Sequence, residues 1–145
     1  MESREPINFI ETEYMYLSPF SAHPIEIWGE VFPTLEHAYQ ASRIKLGSEH
    51  DAVKNAKSPM DAWREGQKYK DNPELAVPNF DKDAVMEELS RAKLAQHKDI
   101  AEILKKSGDR ELLKVYDTDY YWGTGADGTG ENRMGKIWMK LRAEL

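Results

Sequence analysis

Glu36, Tyr39 and Gln40 stand three and four residues apart in the stretch "PTLEHAYQASRI" from Pro33 to Ile44, the spacing that puts side chains on one helix face. If Leu35, Ala38 and Ala41 face the core, that polar face borders a cleft. A carboxylate in a first helical turn is favoured in its ionised form by the helix dipole. Glu36 then suits the work of a base or a cation stabiliser better than that of a proton donor. The plain alternative is an acid that merely complements the dipole. His37 has an equally plain reading as a local hydrogen-bonding residue of the helix start.

A second constellation lies in "YDTDYYWGTGADGTGEN", Tyr116 to Asn132. An extended backbone puts Asp117, Asp119 and Tyr121 on one side and Thr118, Tyr120 and Trp122 on the other. Two acids facing one space can share acid and base work; a solvated strand end running into a turn accounts for them equally well. Tyr121 and Trp122 offer faces on which a nucleobase stacks, or they belong to the core. From Gly123 to Gly135 the chain carries five glycines in thirteen residues. Backbone N–H groups of such a loop, Gly123 and Gly125 among them, can cradle phosphate oxygens, with Asn132 and Arg133 placed to help. The loop is neither a P-loop nor a dinucleotide fingerprint, because it lacks the GKS or GKT ending and the required strand before it.

In "SRAKLAQHKD", Arg91 and Lys98 read as a solvated basic face. Lys93 differs, since it lies close to the direction of Leu89 and Gln96, at the edge of a buried stripe, where an ammonium needs a partner. Cysteine is absent, which excludes disulfides and thiolate metal sites and is compatible with a cytoplasmic setting. His23, His37, His50 and His97 show no spacing of a zinc helix. No metal and no cofactor are expected.

The elements that must position these residues are mostly helices. The chain of 145 residues fits a single domain with its own core. Short strands flank a turn at Gly29-Glu30 in "PIEIWGEVF". Thr34 caps a helix expected to run to Leu46 and stop at Gly47. Ser58 caps another with Pro59 in its first position, ending at Gly66. A helical pattern begins at Asp81, with Val85, Met86, Leu89 and Ala92 facing inward. Asp99 and Glu102 read as a capping box ahead of Ile103 and Leu104. "ELLKVYDTDYY" reads as extended, and Met134, Ile137, Trp138 and Leu141 form a closing amphipathic stripe. The fold class is α+β, predominantly helical, with a few short strands. The charged opening "MESREPINFIETEY" is no signal peptide, and no apolar run is long enough for a membrane span. With 26 acidic against 20 basic residues and a net charge of -6, the chain lacks the dense basic footprint of a DNA-coating protein.

Taken in order, "EHAYQA", "SPMDAWREG", "RAKLAQH" and "DYYWGTGADGTGENRMGKIWMKLR" resemble the NADAR family, which includes riboflavin-biosynthesis-intermediate N-glycosidases. The resemblance runs from about Tyr16 to Leu141 and implies one compact, helix-rich domain over residues 1–145. It implies a hydrolase of N-glycosyl bonds, acting on ADP-ribose attached to guanine in DNA or RNA, or on ribosylated pyrimidine phosphates of riboflavin synthesis. Residue by residue, it carries the family's key positions onto Glu36, Lys93, Asp119, Trp122, the glycine loop and Asn132. Three departures stand out. Ser18-Pro19-Phe20 replaces a frequent Ser-Asn-Phe, Gly66-Gln67 replaces a frequent Gly-Arg, and the stretch from Val77 to Asp81 lacks a Trp seen in some relatives. They leave the pocket intact and weigh against the riboflavin intermediates.

The site expected from both readings uses Glu36, Lys93 and Asp119 for chemistry. Around the substrate it sets Tyr39, Gln40, Gln96, Tyr121, Trp122, Gly123, Gly125, Asn132 and Arg133. Glu36 would stabilise an oxocarbenium-like sugar, and Asp119 would position water or sugar hydroxyls. Lys93 would anchor a carboxylate or phosphate, or attack the opened sugar as a nucleophile. The competing class is a non-catalytic ADP-ribose reader, which needs the aromatic wall and the loop but no reactive carboxylate.

Overall fold

The computed structural model describes residues 5–145; the first residues of the charged opening, 1–4, lie outside them. Six α-helices and four short strands make up the described chain. They group into two units, residues 19–96 and the described residues up to 18 with residues 97–145.

Strand β1 (Ile7–Asn8) belongs to the other unit; in residues 19–96, β2 (Ile25–Ile27) pairs antiparallel with β3 (Glu30–Phe32). The turn falls at Trp28-Gly29, one residue earlier than the sequence suggests. Both residues have positive φ, 54° and 78°, the backbone that matches the twist of a two-residue hairpin. Helix α1 (Leu35–Ser42) follows, capped by Thr34, whose side chain accepts from the His37 N–H. Around it lie α2 (Ser48–Lys54), α3 (Pro59–Tyr69) and α4 (Lys82–Gln96). Every residue of α1 from Leu35 to Ala41 is buried, so α1 is the central rod of this unit.

Helix α1 ends four residues short of the expected Leu46. Ile44 bridges antiparallel to Ala76, the Lys45 N–H donates to the Leu75 carbonyl at 2.7 Å, and the Val77 N–H donates to the Arg43 carbonyl at 2.9 Å. These pairings take the backbone groups that another helical turn would use. Helix α3 starts as expected, with the Ser58 side chain accepting from the Asp61 N–H. It does not stop at Gly66, however, but continues to Tyr69. Gly66 therefore sits in a helix interior, where glycine costs about 1 kcal/mol relative to alanine. The reason is close packing: an added Cβ would stand 2.5 Å from Gln40 Oε1. Helix α2 carries no expectation from the sequence; His50 and Val53 anchor it.

In the other unit, β1 (Ile7–Asn8) pairs parallel with β4 (Leu112–Leu113). A 3-10 turn over Glu13–Leu17 is capped by Thr12. Helix α5 (Lys98–Lys106) buries Ile100 and Leu104; its cap position is His97, with no capping side-chain bond, so the expected Asp99–Glu102 box does not form. Helix α6 (Arg133–Ala143) buries the whole expected stripe of Met134, Ile137, Trp138 and Leu141. Trp138 Nε1 donates to the Leu17 carbonyl at 2.8 Å. Only Leu112–Leu113 of the segment expected to be extended is a strand; beyond it the chain folds into turns. No helix among the described residues is long and apolar enough to cross a membrane.

Candidate active site

Glu36 opens α1, yet its side chain is almost out of water, with a relative exposure of 7% for the residue. Its N–H donates to the Pro19 carbonyl at 3.1 Å. Proline keeps that acceptor, so the Ser-Pro-Phe departure leaves this contact in place. Gln40 Nε2, one turn on, donates to Glu36 Oε1 at 3.3 Å. The sequence places these polar residues on a cleft-facing side; the structure buries both sides of the helix. His37 takes the plain role. Its N–H donates to Thr34 Oγ1, and its ring spans Thr34 Oγ1 at 2.8 Å and the Ala56 carbonyl at 2.9 Å.

Lys93 lies on the buried face of α4 with Met86, Leu89 and Ser90. Its residue exposure is 0%, so it is not at the edge of the stripe but within it. Nζ donates to Ser21 Oγ at 2.6 Å, and that hydroxyl is 2.8 Å from His23 Nδ1. Ser21 and His23 were not among the sequence candidates. Their two-residue spacing in "FSAH" is the signal, since an extended loop turns such residues to one side.

Tyr39 is buried and lies 5.9 Å from Phe80, ring to ring. The Arg43 guanidinium stands 5.6 Å from the Tyr39 ring and 5.9 Å from the Phe80 ring, a cation–π arrangement whose third member, Phe80, lies far along the chain from the other two. Gln96 is exposed, and its amide is engaged with the main chain. Oε1 accepts from the Glu26 N–H at 2.9 Å, and Nε2 donates to the Glu26 carbonyl at 2.7 Å. It extends β2 as a strand neighbour would.

A third polar group in this unit joins Glu30 and His50, residues twenty apart. His50 Nε2 is 3.1 Å from both Glu30 carboxylate oxygens, and Lys54 Nζ donates to Glu30 Oε1 at 3.2 Å. Burial pushes the Glu30 carboxyl up, but the His50 and Lys54 contacts outweigh it and hold the group below its ordinary value. Asp51 brings a third ligand atom within 4.8 Å of the others. The Lys54 cation already supplies the positive charge that a metal would bring.

In the other unit, Asp119 organises a turn. Oδ1 accepts from the Trp122 N–H at 2.8 Å and the Tyr121 N–H at 3.2 Å, and Oδ2 accepts from Lys114 Nζ at 2.8 Å. Partial burial pushes its carboxyl up. The Lys114 charge and hydrogen bond, with the two N–H groups, outweigh that and keep it below the ordinary carboxylate value. Asp117 is exposed, so the two acids do not form the shared pair considered from the sequence. Tyr121 and Trp122 meet edge to face at 4.9 Å. The Arg133 guanidinium lies 4.9 Å from the Tyr121 ring and donates to Glu131 Oε1 at 2.9 Å.

The glycine loop turns its N–H groups inward. Those of Thr124, Gly125, Gly130, Glu131, Asn132, Arg133 and Met134 donate to carbonyls of Lys114, Asp119, Thr124, Tyr120, Gly123, Tyr121 and Trp122 respectively. The phosphate cradle considered from the sequence is thus largely consumed by the loop itself. Gly123 and Gly125 are buried, and Gly125 has a positive φ of 71° that keeps its backbone against the Tyr120 ring. Asn132 bridges to β4: Nδ2 donates to the Leu112 carbonyl and Oδ1 accepts from the Lys114 N–H, both at 2.9 Å.

The family model of the NADAR domain matches residues 8–145. The chain belongs to the NADAR family. N-glycosidase YbiA of Escherichia coli K12 is 34% identical over 143 residues, spanning 96% of this NADAR chain and 88% of that protein. The NMR structure of Escherichia coli YbiA superposes with a TM-score of 0.84 at 32% identity, covering 99% of this chain and 86% of the other. The helix-rich fold with few strands is therefore the fold of this NADAR relative. A riboflavin biosynthesis protein of Vibrio vulnificus, VVA0006, is 31% identical over 148 residues, which cover 97% of this chain and 39% of that longer protein.

Proposed function

We propose that this NADAR chain is an N-glycosidase that removes ADP-ribose from guanine in nucleic acid. The observation that carries the reading is Glu36, a carboxylate largely withdrawn from water at the start of α1, with one oxygen held by Gln40. Cleavage of an N-glycosidic bond passes through an oxocarbenium-like sugar with positive charge at C1. A preorganised carboxylate in a water-poor setting stabilises that charge far more than the same group in water. The bond class is supported by the relative YbiA, which is named an N-glycosidase.

Lys93 supplies the second function in this reading. Its neutral amine attacks C1, forming a C–N bond as the bond to the guanine nitrogen breaks, and the proton lost from Nζ goes to the leaving guanine. Ring opening leaves a Schiff base, and water then releases the sugar and restores the amine. Ser21 holds Nζ in place.

The choice of ADP-ribose rests on Gln67, at the place where the resemblance to the NADAR family implies an Arg after the glycine. A terminal phosphate monoester is close to doubly charged and is well matched by a guanidinium fork. A pyrophosphate spreads less charge over each phosphorus and depends less on that fork. The net charge of -6 suits reading a single modified base rather than coating a duplex.

The test is incubation with guanine-ADP-ribosylated DNA and, separately, with a ribosylaminopyrimidine phosphate. Released ADP-ribose with intact guanine left in the DNA is the expected result. Release from the pyrimidine alone would move the reading to riboflavin intermediates, in line with the name of VVA0006. Binding of ADP-ribose with no release from either substrate would make the chain a reader.

A further inference from the structure

We infer that Gly66 is a positioning residue for Glu36, acting through Gln40: the missing side chain at Gly66 admits the Gln40 amide against α3, and this aims Nε2 at the Glu36 carboxylate. The inference rests on the N-glycosidase reading for its catalytic meaning, though not for its geometry.

Gln40 has a relative exposure of 2%, and its Oε1 meets no hydrogen-bond donor among the described residues. Nε2 donates to Glu36 Oε1 at 3.3 Å. The opposite amide orientation would set two acceptor oxygens against each other at that contact, so the nitrogen belongs on the Glu36 side. The oxygen is then turned to the backbone of α3. A Cβ at Gly66 would stand 2.5 Å from Oε1 and 3.2 Å from both Cβ and Cδ of Gln40. Gln40 thus fills the volume that any other residue at this position would occupy. A buried acceptor facing a Cα–H has at best a weak partner. Such an arrangement is poor for the stability of Gln40 and is explained by what the other end of the amide does.

Gly66 is not there for its backbone. It lies inside α3, and its φ is not in the left-handed region, so alanine fits the conformation and has the higher helix propensity. What alanine cannot do is leave Gln40 where it is. The nearest obstructed atom is the far end of a flexible side chain, so the amide gives way and the helix stays. Glu36 then loses a donor that favours its ionised form.

The experiment follows the Glu36 side-chain carboxyl by 13C NMR through a pH titration in four proteins: wild type, Gly66→Ala, Gln40→Ala and the double variant. The midpoint should rise by about one pH unit in each single variant, the scale of one hydrogen bond to a charged group. It should rise no further in the double variant, because both changes remove the same contact. On guanine-ADP-ribosylated DNA, kcat should fall about tenfold in each, with KM held and the acid limb of the rate profile moved upward.

An unchanged Glu36 midpoint in Gly66→Ala, or additive effects in the double variant, would overturn the inference. A moved midpoint with a wild type inactive on the DNA would instead sink the ADP-ribose reading of the substrate and leave the contact between Gly66, Gln40 and Glu36 standing. Should Gly66→Ala fold poorly, Gln40→Ser and Gln40→Ser with Gly66→Ala carry the test, since serine removes the closest obstructing atom, Oε1, together with Cδ and leaves only the looser contact at Cβ. Those two proteins must share one midpoint, and different midpoints would again overturn the inference.

Discussion

Lys93 Nζ lies 2.6 Å from Ser21 Oγ, and the lysine exposes none of its surface. Taking a charged amine out of water costs several kcal/mol unless partners offset it. An amine held at this place by a hydroxyl can perform a task that an apolar residue could not.

Borohydride added during turnover on ADP-ribosylated DNA should therefore trap a sugar on Lys93, seen as added mass on its peptide. Lys93→Arg should lose both the adduct and the activity, because a guanidinium stays protonated and cannot act as the nucleophile. Partial activity in Lys93→Arg with no adduct in the wild type would assign an anchoring role instead. An active Lys93→Ala enzyme would eliminate both roles.

Replacing Glu36 by Gln keeps size and shape. Turnover should drop at least ~100-fold, the scale of losing one preorganised electrostatic contact, while circular dichroism stays that of the wild type. Turnover near the wild-type rate would sink the assignment.

ADP-ribose should raise the melting temperature, since a product bound to the folded chain stabilises that state alone. At a hundredfold excess over its Kd the gain is about 2.7 kcal/mol. No change with saturating ADP-ribose and ribose 5-phosphate would argue against a pocket for either.

Asp119 predicts a limb of acid sensitivity. Its folded pKa is lowered, because the Lys114 and N–H contacts outweigh the upward push of burial. The carboxylate thus stabilises the fold fully above about pH 4, the ordinary Asp value. That contribution is lost as pH falls through the lower folded value. Asp119→Asn should be less stable than wild type at pH 7 by about 1–3 kcal/mol, the cost of breaking a charged, partly buried hydrogen-bond set. The gap should close toward pH 2. Urea midpoints across this range check it; a gap independent of pH would refute the electrostatic account.

Local signals in the sequence proved reliable where the competing force was also local. The Thr34 and Ser58 caps are formed by hydroxyls that bond N–H groups three residues ahead, and the α6 stripe is buried as its spacing requires. Long-range partners defeated the rest. Helix α1 ends early because residues 75–77 claim the backbone of residues 43–45. Gly66 looks like a stop in the sequence, and only the approach of Gln40 shows why a glycine belongs inside a helix. In the candidate site, Glu36 and Lys93 could be singled out because a charged residue among apolar periodicity is conspicuous. Ser21 and Arg43 could not, as Lys93 and Phe80, the partners that give them meaning, lie far off along the chain. The Asp119 turn was missed because alternating residue types mimic a strand when the side-chain-to-backbone bonds are unseen.

The parallel pairing of Ile7 with Leu112 and Asn8 with Leu113 has a consequence for the order of assembly. Helices α1 to α4 find partners within residues 19–96 and can settle before the rest of the chain is made. Strand β1 cannot. The Ile7 N–H and Phe9 N–H find their acceptors on Glu111 and Leu113, so the first strand waits unpaired until most of the chain has emerged. Closing so large a loop is slow compared with helix formation. Through that interval Phe9, which ends fully buried, stays open to solvent and to chaperones.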